Sequence, residues 1–210
     1  MKRPELSIVL PSISGREDTL AIVEAAYRAS TPVVVEFVKP LDWASVGEAW
    51  NAGAAVARGD VLLFAIDDAV PHAGWYEAAT RVVNDGDVPS PTLFLNDGSL
   101  EGAGTMGLGG FLPFGVDGQV CRSAGIILVT RETFARVGAF LPIHYYADDD
   151  WTWRFAGEGR VRSCHAFAFT HLHHAVGRRE MMARAALDRL AFLRNVAGLD
   201  PFGDEGEVIA

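Results

Sequence analysis

Cysteine is scarce in this chain. Cys121 and Cys164 are the two present in 210 residues, and neither stands in a CxxC or CxxH pair. That excludes a disulfide framework and a thiolate zinc site, and it makes a reducing, cytoplasmic setting the expectation. Long apolar runs are missing too. No stretch approaches the roughly 18 consecutive apolar residues of a membrane helix. The opening MKRPELSIVLPS carries a basic lead, but its apolar part is too brief for a signal peptide and reads as a first strand. Positive charge is in short supply, with 18 Lys and Arg against 27 Asp and Glu and a formal net charge of -9. A chain so acidic is not built to wrap a nucleic-acid backbone. If it handles an anionic small ligand, it needs a metal ion or local donors to screen the repulsion.

What is present is an ordinary globular composition, 50% hydrophobic and 21% charged, enough for one full core. Leu6 to Leu10 (LSIVL) is an apolar strand stopped by Pro11. Asp18 to Ala29 has apolar residues at helical spacing, and Val33 to Val38 is a second, β-branched strand. Ser45, with Glu48 three residues on, has the form of a capping box opening a helix that runs to Gly59. Val61 to Ile66 is a third apolar strand, and a third helix begins near Trp75. Strand and helix alternating in this way predict an α/β fold, a mostly parallel sheet flanked by helices. Ligands then bind beyond the carboxyl ends of the strands, here Pro11 to Ser14, Lys39-Pro40 and Asp67-Asp68.

The second half is less regular. Asn96-Asp97-Gly98 marks a hairpin turn, and the glycine-rich stretch Gly102 to Gly118 reads either as a mobile loop over the site or as a plain surface loop. Ile126 to Val129, Arg160 to Ser163 and Ala166 to Phe169 are further strands, with Arg131 to Val137 a short helix. A C-terminal helix, Arg178 to Val196, shows Met182, Ala186, Leu190 and Leu193 on one face, the pattern of a helix packed on its own domain. The expected division is a main domain over 1–177, this helix within 178–198, and a loose tail over 199–210.

Two clusters demand chemistry. ADDDWTWR, residues 147–154, places three carboxylates between aromatic neighbours, where like charges repel and ionisation costs more. One reading is a helix start, with Asp148 as cap, Asp149 and Asp150 in the first turn and Arg154 four residues after Asp150. Whether the triplet does more than open a helix depends on the rest of the chain. His171 and His173 share one face of a strand end, followed by His174.

Four segments, in order, resemble the family 2 glycosyltransferases of the GT-A fold. They are SIVLPSISGRE, NAGAAVARGDVLLFAIDDAVPHAGW, SAGIILVTRETFARVGAFLPIHYYADDDWTWR and the histidine cluster, together spanning most of Leu6 to His174. The resemblance implies a GT-A domain and transfer of a sugar, with inversion, from a nucleotide-diphospho-sugar to a hydroxyl of a glycan or protein acceptor. It implies a divalent cation, Mn2+ or Mg2+, on Asp68 with His173 or His171, the former being the first choice. It implies Asp148 as general base supported by Asp150, and a nucleotide held by Pro11, Ser12, Ser14, Arg16, Glu36 and Asp67. Ile66 and Ala147 stand where the family pattern carries acids, and Glu36 stands two residues before the usual acid of its strand. The alternatives are a nucleotide-sugar-binding protein without turnover and a nucleotidyltransferase on a similar sheet. A membrane-spanning partner segment is not expected, and an oligomer is compatible with the pattern.

Overall fold

The computed structural model describes residues 4–103, 106–107, 110–111, 117–118, 120–121, 125–156, 158–172 and 178–196. In chain order the elements begin β1 (Leu6–Val9), α1 (Glu17–Ser30), β2 (Val35–Val38), α2 (Val46–Val56), β3 (Val61–Phe64), β4 (Ala69–Pro71) and α3 (Trp75–Asn84). They continue β5 (Val88–Phe94), β6 (Leu100–Ala103), β7 (Met106–Gly107), β8 (Gly110–Phe111), β9 (Val120–Cys121) and β10 (Ile127–Thr130). The last are α4 (Arg131–Val137), α5 (Ala147–Phe155), β11 (Val161–His171) and α6 (Arg178–Asn195).

A central sheet has the order β10-β3-β1-β2, with β1, β2 and β3 parallel and β10 antiparallel on the β3 edge. Because successive side chains of a strand point to opposite faces, this sheet feeds two cores. Val9, Leu62, Phe64, Ile127 and Val129 meet Trp50 of α2, Trp151 and Phe155 of α5 and Phe192 of α6. Leu6, Ile8, Leu63 and Leu128 meet Tyr27 of α1, Trp75 of α3 and Phe167 and Phe169 of β11. The three fully buried indoles each keep a partner for the ring N–H: Trp50 donates to Ala65 O, Trp75 to Ser30 Oγ and Trp151 to Gly138 O. The area of these three rings is thereby buried without orphaning their N–H groups.

A second sheet, β4-β11-β5-β6 with β9 also on β11, was not foreseen as separate. The two short strands read over 160–169 are one long strand, β11. Its pairing with β5 shifts register between Ser163 and Ala168, an irregularity that looks like a break in the sequence pattern. The three-residue β4 was also missed, since so short a run carries no periodicity.

Two further details depart from the expectation. Asp148 is not the cap of α5. Tyr146 holds that position in the left-handed region (φ 66), and all three aspartates fall in the first turn. On α6, Ala186 and Leu190 face solvent, while Asp188, Phe192 and Val196 are buried and Leu193 packs partly against them. The stretch 199–210 lies outside the described residues, as does most of the glycine-rich segment within 102–118.

Candidate active site at the strand ends

The site is built by how β1, β2 and β3 end. Leu10 N donates to Val38 O, Pro11 has no N–H to continue the ladder, and the chain resumes one step on with Ser12 N donating to Pro40 O. The two loops are then strapped together. Asp42, itself in the left-handed region (φ 55), accepts from Ser14 N at 2.8 Å and from Ser14 Oγ at 2.7 Å. These bonds hold the Asp42 carboxyl below its ordinary pKa. Sequence reading did not single out Asp42. Aspartate tolerates this backbone conformation, but nothing local announces its partner.

After β3 the chain turns through Asp67 and Asp68 into β4. β4 pairs antiparallel with the end of β11, His171 opposite Ala69, and Leu172 N donates to Asp68 O at 2.6 Å. This pairing brings His171 Nε2 to 3.4 Å from Asp68 Oδ1. Arg16, at the start of α1, reaches across from the first loop. Its Nη1 lies 2.9 Å from Asp67 Oδ1 and its Nη2 2.7 Å from Asp68 Oδ2. Ser12 Oγ donates to Asp67 Oδ2 at 2.5 Å. Both acids are largely buried, and the balance differs between them. Burial pushes the Asp67 carboxyl up, only partly offset by Ser12 and Arg16. Burial acts on Asp68 as well, but the bonds from His171 and Arg16 outweigh it and hold its pKa down.

Asp68 and His171 suit a divalent cation. Two donors each about 2.1 Å from one ion and about 90° apart lie about 3.0 Å from each other, close to the observed separation. A carboxylate oxygen with an imidazole is a donor set that Mn2+ accepts. A cation held by these two protein ligands would have its remaining positions open to water and substrate oxygens, as in phosphate-handling sites. Among the described residues no group of three His, Cys, Asp or Glu side chains converges as a metal cage. His173 and His174 lie outside the described residues.

The start of α5, which carries the aspartate triplet, is fixed by a separate route. α2 begins where β2 has ended, and its Gly47 N donates to Ile143 O at 3.0 Å. A Cβ at Gly47 would sit 2.0 Å from Leu141 O, so only glycine admits this approach. Asp188 of α6 accepts from His144 N and Tyr145 N at 3.0 and 2.9 Å, fixing the segment that leads into α5. Asp148 follows, half-buried in the first turn.

Two residues assigned to the site from sequence are engaged elsewhere. Asp150 is fully buried, its Oδ2 bonded by Arg154 Nε and Nη2 at 3.1 and 2.9 Å and its Oδ1 by Asn195. It ties α5 to α6, and Arg154 passes the tie on to Val137 O and Ala139 O. Glu36 pairs with Ser7 Oγ, Arg58 N and Arg58 Nε, in the turn that enters β3. That is the opposite edge of the parallel strands from Asp67 and Asp68.

No protein-family description matches the chain, and no curated protein is similar to it in sequence. Its shape is another matter. The fold is similar to the crystal structure of GalNAc-T7 with UDP, GalNAc and Mn2+, with a TM-score of 0.68 at 12% identity over 91% of this chain. The fold is GT-A. The chain spans about half of that glycosyltransferase, covering 48% of it. The acidic turn after β3 is Asp67-Asp68, and His171 is the histidine that meets it. Ile66, just before the pair, packs against both cores. Among the described residues no helix is long and apolar enough to cross a membrane.

Proposed function

We propose that the protein is a glycosyltransferase of the family 2 type, moving a sugar with inversion from a nucleotide-diphospho-sugar to a hydroxyl of a glycan or protein. The observation that carries this reading is the meeting of Asp68 with His171 through the β4–β11 pairing, at the strand ends of a GT-A sheet. The ligands in the GalNAc-T7 structure, UDP, GalNAc and Mn2+, support a nucleotide sugar and a divalent cation as the chemistry of such an edge.

A cation held by Asp68 and His171 would supply positive charge against the leaving diphosphate. The chain's own residues do the rest. The Ser12 to Arg16 loop receives the nucleotide diphosphate, with Ser14 held by Asp42 and Arg16 offering a planar fork to phosphate oxygens. Asp148 takes the proton from the acceptor hydroxyl as that oxygen bonds to the anomeric carbon and the bond from that carbon to the diphosphate oxygen breaks. Attack from the face opposite the leaving group inverts the centre. The segment 1–177 supplies every group named here, and α6 braces it through Asp188 and Asn195.

A panel of nucleotide sugars, each with Mn2+ or Mg2+, tests the proposal by melting temperature and by release of nucleoside diphosphate. At least one donor should stabilise the protein and be hydrolysed or transferred. If none does either, the transferase reading is wrong. Stabilisation without turnover, unchanged by Asp148→Asn, would favour the binding protein that Ala147 and Ile66, in place of acids, also permit.

A further inference from the structure

All four carboxylate oxygens of Asp67 and Asp68 are in use in this structure. Arg16 takes one from each acid, Ser12 a third and His171 the fourth. The guanidinium is therefore the cation that balances the pair. Two carboxylates and one guanidinium leave a single negative charge, and a divalent ion added to that set makes it net positive in a largely buried space. The ion and Arg16 then repel, with little water to screen them. A diphosphate reverses the sign. Its oxygens accept from the guanidinium and ligate the ion together, so that both cations are matched. Arg16 is equipped for the exchange, because its Nε is buried and bonds no partner among the described residues, a donor left over in the fork.

We propose that Arg16 is a built-in counter-ion that latches Asp67 and Asp68 until a nucleoside diphosphate draws it away, so that cation and diphosphate bind as an interdependent pair. This rests on the nucleotide-sugar reading above and adds an order to it. The bare ion binds poorly, and each ligand raises the affinity for the other by the same factor. Arg16 is a gate on the cation as well as a contact for the donor.

The test is a Mn2+ titration followed by electron paramagnetic resonance on the full chain, with and without UDP, GDP, CDP, ADP or dTDP. Wild type should bind Mn2+ alone weakly, and the accepted nucleotide should tighten it about tenfold or more, within the usual range of coupling between sites. Arg16→Gln should bind Mn2+ alone about tenfold tighter than wild type and lose most of the nucleotide enhancement. Arg16→Lys keeps the charge but not the fork across two carboxylates, and should fall between them. It also carries the test if Arg16→Gln does not fold. Unchanged or weaker binding of Mn2+ alone in the variants, or full retention of the enhancement, overturns the latch while leaving the nucleotide-sugar reading intact. If wild type takes up none of these nucleotides with Mn2+, that reading fails and the latch falls with it.

Discussion

Asp68 sits between two nitrogen partners, His171 on one oxygen and Arg16 on the other. Replacing it by Asn removes the ligand charge while keeping the shape, so Mn2+ binding and turnover should both be lost with little change in fold. The measurement is Mn2+ affinity beside a thermal melt. Asp148 is argued to act on the acceptor and not on the donor. Asp148→Asn should lower kcat by about 10²- to 10⁴-fold, the span of a general base, while nucleotide affinity stays within a factor of a few. Equal losses in both would place Asp148 in binding instead. The neighbouring Asp150 makes a useful contrast. It is saturated by Arg154 and Asn195 in the interior, so Asp150→Asn should show itself first in stability. From the sequence both acids were assigned to the site, Asp148 as base and Asp150 as its support, since positions of one helical turn read alike until the packing partner is known.

At the scale of elements, the join between α2 and the loop before α5 is the feature that fixes where α5 begins. Asn51 donates to Phe140 O and accepts from Phe140 N, at 2.9 and 2.8 Å. Removing the side chain strands two backbone groups, and Asn51→Ala should cost about 1–3 kcal/mol in urea denaturation. Gly53 lets α2 lie close on β1, where a Cβ would fall 2.2 Å from Val9 Cγ1. Gly53→Ala should cost a further 1–3 kcal/mol or so by overpacking. If both variants melt like wild type, the α2 contact is looser than described. The capping pair was legible because it is local. Ser45 does accept from Glu48 N, at 3.2 Å. The inward face of α6 was not, because the helix turns an aspartate inward to hold backbone N–H groups, and hydrophobic periodicity counts such a residue as exposed.

Across the whole molecule, ligand binding and acidity should each leave a mark on stability. A donor present at about 100 times its dissociation constant stabilises the folded state by about 2.7 kcal/mol, which in a chain of this size raises the melting temperature by roughly 5–10 °C. On the acid side, Glu36 is the group to follow. Burial alone would raise its pKa, but Ser7 and Arg58 outweigh that and hold it below its ordinary value of 4.5. A carboxylate with a depressed folded pKa stabilises above its unfolded pKa and loses that contribution as pH falls through the folded one. Glu36→Gln should therefore flatten the fall in stability below about pH 4.5 and change it little at pH 7 beyond a constant offset. Asp67, whose pKa burial raises, acts in the opposite sense and softens the same limb.

Local chemistry decided where strands and helices start, that the first three strands run parallel, and which end of them carries the polar groups. Those follow from side-chain period, capping and the handedness of short connections, all of which act within a few tens of residues. Tertiary structure alone decided which acids share a charge. Asp68 meets His171 because a three-residue strand pairs with the end of β11, and Arg16 spans two carboxylates because two loops are strapped together at Asp42. Asp150 and Glu36 were drawn into ion pairs away from the edge by residues on other elements. Contacts between distant segments depend on register and packing geometry, and a single chain of letters carries no local trace of either.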